Sequence, residues 1–187
     1  MALNGFDPYI VGSLECQWWQ AHNAKNKPLL LSLLKEQHVA LYGLDSENSL
    51  EALKYLFDAV SDHDIRDWKS ATEKAAMYYT VIKDKAGLSF DPQKAAELEV
   101  GWWKLHDELE YVEDKTSLAN AFSLLYSEVF SIAKEQLQIA GELKAQATYE
   151  HDLAEDPNTP PQDIGEHWGK AESLLINFYQ ELQRHIK

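Results

Sequence analysis

Glu15 and His22 lie seven residues apart, with Trp18 and Trp19 between them, and the same arrangement returns as Glu99, Trp102, Trp103 and His106. On an α-helix each residue advances about 100°. Counted from Leu14, Trp18 then falls at about 40°, His22 at about 80°, Glu15 at about 100° and Trp19 at about 140°. An acid and an imidazole therefore share one narrow stripe flanked by indoles. A helix with so broad an aromatic face is expected to bury it, and to bury the Glu and His at least in part.

Three chemistries suit such a stripe. Carboxylate–imidazole hydrogen bonds could lock two parts of the protein in register, because polar groups that are costly to bury alone need partners. The indoles could line a pocket for a small, partly apolar ligand, with Glu15, Trp18, Trp19, His22, Glu99, Trp102, Trp103 and His106 binding or orienting it. Glu15, His22, Glu99 and His106 could hold a divalent metal. Di-iron bundles use these ligand types in a Glu-x-x-His pattern one turn apart. Here the spacing is two turns, about 10.5 Å along the axis, and no Glu-x-x-His occurs. Within one helix Glu15 and His22 are too far apart to meet. Antiparallel crossing of the two stripe helices would bring Glu15 to His106 and Glu99 to His22.

The recurrence extends along the chain. Phe6, Asp7, Pro8, Leu14, Glu15, Trp18, Trp19 and His22 recur 84 positions on as Phe90, Asp91, Pro92, Leu98, Glu99, Trp102, Trp103 and His106. The shift then grows to 88, pairing Lys27 with Lys115, Tyr42 with Phe130, Ala52 with Ala140 and His63-Asp64 with His151-Asp152. Beyond the Pro-rich stretch 154–161 it becomes 100, pairing Trp68 with Trp168 and Tyr78-Tyr79 with Phe178-Tyr179. Ordered matches at stepped shifts predict a tandem duplication, residues 6–85 and 90–187, with insertions in loops.

Each half reads as four helices. Asp7-Pro8 and Asp91-Pro92 are N-cap and first-turn signals. The second helices are expected over about 28–42, ending near Gly43, and 117–130. The third are expected over about 49–62 and 133–151, with capping residues among Ser46, Asn48 and Ser49. The fourth are expected over about 65–85, closed by Gly87, and 162–186, with Asp64 and Asp163 as caps. No Val/Ile/Thr-rich run alternates with period two. The expected fold is all-α: one compact domain of about eight helices, two four-helix halves around a pseudo-two-fold axis.

Other residues have plainer readings. His63-Asp64 and His151-Asp152 suit helix C-termini, where imidazole complements the dipole. His38 aligns with Tyr126 and Cys16 with Val100, which favours packing roles. The acidic stretch 107–114 reads as a solvated helix end, without an EF-hand pattern.

Composition excludes several classes. The 187 residues carry a formal net charge of −14, which leaves no basic footprint for nucleic acid and disfavours an anionic membrane surface. One cysteine precludes an intrachain disulfide, the first residues do not read as a secretory signal, and no run approaches the roughly 20 apolar residues expected of a membrane span. The expected location is cytoplasmic. A small-ligand or non-catalytic role is the favoured expectation. A Glu/His metal centre and an acidic adaptor that binds a protein partner or a second copy are the alternatives.

Overall fold

A computed structural model describes residues 5–186. Among them are eight α-helices and no strand. The helices are α1 (Pro8–Asn23), α2 (Lys27–Tyr42), α3 (Ser46–Asp64), α4 (Trp68–Ala86), α5 (Pro92–Leu109), α6 (Thr116–Phe130), α7 (Gln138–Glu155) and α8 (Pro161–His185). A 3-10 turn, Lys134–Leu137, leads into α7.

α1 and α5 each begin as an Asp-Pro pair dictates. The Asp7 carboxylate accepts from the amides of Tyr9 and Ile10, and Asp91 does the same for Gln93 and Lys94. Gly43 and Gly87 end α2 and α4 in the left-handed conformation, at φ 68° and 69°, which only a residue without Cβ adopts at little cost. Other caps differ from expectation. α3 is capped by Asp45, upstream of the Ser/Asn cluster, and it runs on to Asp64, so that residue closes one helix instead of opening the next. The turn at Ile65 and Arg66 then passes the capping role for α4 to Asp67. α8 starts on Pro161 with no side-chain cap, leaving Asp163 in its first turn.

Each helix packs on its neighbour in sequence, and α8 packs on α1, so the eight helices close into a ring. Small residues at the contacts let the backbones approach closely. Ala52, Ala59, Ala71, Ala75, Ala95 and Ala96 are all fully buried. A Cβ placed on Gly12 of α1 would lie 2.8 Å from the backbone of Ile176 on α8, and one on Gly141 of α7 would collide with Ala119 and Ser123 of α6. The apolar core is accordingly distributed along the helix interfaces. α1 and α5, expected to cross at the centre, are not a packed pair. No helix among the described residues is long and apolar enough to cross a membrane.

Candidate functional site

All eight residues of the doubled stripe line one cavity of about 930 Å³, and every one of the eight helices contributes to its wall. Aromatic rings dominate: besides the four indoles, the wall includes Tyr42, Tyr78, Tyr79, Phe122, Tyr126 and Tyr179. The lining residues His22, Lys25, Lys27, Ser61, Asp64 and Asp107 are exposed and form its mouth. The exposure of His22 departs from the expected burial. It sits in the last turn of α1, at the rim, where the ring no longer covers it.

The stripe helices run toward the mouth together. His151, on α7, packs its ring 5.1 Å from that of Trp19 near the end of α1 and 6.3 Å from that of His106 near the end of α5. The C-terminal ends of α1 and α5 therefore share one end of the cavity. The expected pairs Glu15–His106 and Glu99–His22 do not form, because that geometry required antiparallel helices. Each acid finds its partner on other helices.

Glu15 is buried and paired with Lys144 of α7, which is equally buried. Its second oxygen accepts from the Tyr179 hydroxyl at 2.6 Å. Gln37 extends this network: its amide nitrogen donates to the Tyr179 oxygen at 3.2 Å and its carbonyl accepts from Trp18 Nε1 at 2.9 Å. The Lys144 ammonium also lies 5.3 Å from the Trp19 ring, 5.1 Å from Phe178, 5.9 Å from Phe122 and 6.0 Å from Tyr179. It thus occupies an aromatic cage closed by a carboxylate, an arrangement that stabilises a desolvated cation.

Glu99 has a different environment. It accepts from the Tyr79 hydroxyl at 2.7 Å and from Trp103 Nε1 at 3.1 Å. Among the described residues no cation lies within ion-pair distance of it. It remains partly accessible because it opens on the cavity. Desolvation inside the protein raises its pKa above the usual carboxylate value, against the opposing hydrogen bonds from Tyr79 and Trp103. The neighbouring Trp102 Nε1 is buried and lacks a hydrogen-bond partner of good geometry.

Nearer the mouth, two histidines stand between indoles. His63 lies 5.2 Å from Trp68 and 5.4 Å from Trp103, with Nε2 3.2 Å from Asp107. His151 lies between Trp19 and Trp168, and its Nε2 is 2.9 Å from the Asn23 amide. Asp152 is fully buried and gathers three partners: His106 Nε2 at 2.9 Å, His151 Nδ1 at 3.1 Å and Lys115 Nζ at 2.7 Å. Burial opposes its ionisation, but the hydrogen bonds from His106, His151 and Lys115 outweigh burial and hold its carboxyl well below the usual range.

The four residues considered for a metal do not converge. Among the described residues, the one group whose ligand atoms gather within 4.8 Å is His106, His151 and Asp152. The remaining singled-out residues pack. Cys16 is buried, and burial pushes its thiol up to about 12, aided by Glu172 and Glu15. His38 is buried, its ring nitrogens 2.6 Å from the Leu34 carbonyl oxygen and 2.9 Å from the Tyr78 hydroxyl, and burial lowers its pKa to about 4.

Sequence reasoning passed over Lys144, Lys115 and the buried role of Asp152. For Lys144 a signal existed: Ala140, Lys144, Thr148 and His151 fall on one helical stripe, whose other members are small or aromatic. No family model, curated protein or solved structure matches the chain. Its chemistry is read from the cavity itself.

Proposed function

We propose that the protein binds a small organic molecule with a largely apolar body inside the ring of helices. The observation that carries this reading is the cavity. Its volume of about 930 Å³ lies within the range of about 300–1,000 Å³ typical of ligand sites. Its wall combines many rings with a few fixed polar groups, the composition that such sites use for affinity and orientation. A protein that needed these side chains only for stability would bring the rings into contact, because voids forfeit dispersion energy.

We also read the chain as two copies of one four-helix unit about a pseudo-two-fold axis. Paired contacts support it. Tyr79 bonds Glu99 as Tyr179 bonds Glu15. His63 meets Trp68, Trp103 and Asp107 as His151 meets Trp168, Trp19 and Asn23. Tyr42 and Phe130, equivalent positions, stack on each other with centroids 6.4 Å apart and planes 12° from parallel, as residues astride an axis would.

A metal reading has one observation in its favour, the convergence of His106, His151 and Asp152. Lys115 weakens it, because its ammonium already holds the second Asp152 oxygen and would repel a divalent ion.

Titration with the neutral fluorescent probe N-phenyl-1-naphthylamine tests the ligand reading. Saturable binding of one probe per chain is expected, weakened in Val60→Trp, which places an indole in the cavity wall, without loss of the helical circular-dichroism spectrum. Absence of saturable binding to the wild-type protein, or undiminished binding to this variant, overturns it.

A further inference from the structure

The two carboxylates at the cavity wall have matching surroundings but unequal charge balance. Around Glu15 the protein supplies its own ammonium, Lys144, seated among Trp19, Phe178, Phe122 and Tyr179. Under the repeat alignment the positions equivalent to those rings are Trp103, Tyr78, Leu34 and Tyr79, and all four line the cavity. Trp103 and Tyr79 donate hydrogen bonds to Glu99. The position equivalent to Lys144 is Leu56, whose side chain also lines the cavity and carries no charge. The position equivalent to Gln37 is Leu125, so Trp102 Nε1 lacks the acceptor that Trp18 Nε1 enjoys. The Glu99 side therefore retains the acid and most of the rings and omits the cation.

We infer that the ligand supplies the missing cation: the cavity takes a primary amine on an apolar body, its ammonium seated between Glu99 and the Trp103 and Tyr79 rings. This rests on the cavity being a ligand site. The Lys144 cage shows within the same molecule how an ammonium is held by such a set of groups. Glu99 is half-buried where Glu15 is buried, and it lines the cavity. An uncompensated buried carboxylate is costly, and an incoming ammonium relieves that cost while gaining cation–π attraction. Neutral and anionic molecules of the same shape gain neither.

Isothermal titration calorimetry with 4-phenylbutylamine, 4-phenylbutan-1-ol and N-phenyl-1-naphthylamine tests the inference. The amine is expected to bind about tenfold or more tightly than the alcohol, the advantage of a charge-assisted hydrogen bond. Glu99→Gln is expected to bring the ratio close to one by weakening amine binding. Leu56→Lys, which supplies an internal ammonium, is expected to remove the amine preference by a separate route. Equal affinities in the wild-type protein, or a preference that survives in whichever of the two variants retains its helical spectrum, overturns the inference while leaving the cavity reading intact. If none of the three molecules binds, the cavity reading fails and this inference fails with it.

Discussion

Replacing Lys144 by Met removes an ammonium and keeps most of the volume of its stem. The side chains of Glu15 and Lys144 are only 6% and 4% exposed, so Glu15 would be left as a buried charge without its counterion. Breaking such a pair from one side costs about 3–5 kcal/mol. The Tyr179 hydroxyl continues to donate to Glu15 at 2.6 Å, and Met leaves little cavity, so the lower end of that range, about 3 kcal/mol, is expected. For a chain of this length that corresponds to a fall in Tm of roughly 6–12 °C. The double variant Glu15→Gln, Lys144→Met should recover much of the loss, because the amide still accepts from Tyr179 and no lone charge remains. Urea unfolding followed by far-ultraviolet circular dichroism, applied to the wild type, both single variants and the double, closes the cycle. A coupling of about 2 kcal/mol or more is expected between the two positions. Strictly additive effects would show that the two groups do not depend on each other, and the reasoning about the Glu15 cage would fall.

Asp152→Asn should destabilise the protein. Since the native carboxyl titrates well below its unfolded value of about 3.9, the linked stability is present in full above that value and is lost only as pH falls further toward the native pKa. The gap between variant and wild type in urea midpoints should hold from pH 7 to pH 5 and narrow below pH 4. His38 behaves oppositely to a paired cation. Its native pKa of about 4 lies below the unfolded value of about 6.5, so the unfolded state binds more protons between the two. Stability should therefore decline by roughly 3 kcal/mol as pH falls through that window, and His38→Gln should flatten that part of the pH–stability curve. Gly141→Ala and Gly12→Ala should each lower stability by about 1–3 kcal/mol in urea unfolding, with Gly141→Ala the worse because its new methyl meets backbone and side chain of α6 together.

The helices were legible because their ends are written in local chemistry. Asp7-Pro8, Asp91-Pro92, Gly43 and Gly87 each act within a few residues and need no tertiary partner. The inward face of α1 and α5 was legible for a similar reason, since helical periodicity alone gathers Glu15 with Trp18 and Trp19, and Glu99 with Trp102 and Trp103. What periodicity cannot give is the mutual direction of two helices. Expecting α1 and α5 to cross antiparallel misassigned the partners of Glu15 and Glu99, although their inward placement held. His22 shows a second limit. It shares its stripe with Glu15, yet the exposure of a last-turn residue depends on how far the neighbouring helices extend. Lys144 shows a third: a lysine reads as surface until the acid and rings that receive it, on α1, α6 and α8, are known.

Ring closure carries a topological consequence. Seven of the eight seams between neighbouring helices are bridged by a loop, whereas α8 meets α1 without one. There the Gln183 amide donates to the Phe6 carbonyl, Gly12 admits Ile176, and Tyr179 reaches Glu15. The connectivity is thus exchangeable: a circularly permuted chain starting at α5 and joined from α8 to α1 by a short tether would enclose the same interior, with the free ends moved to the α4–α5 seam.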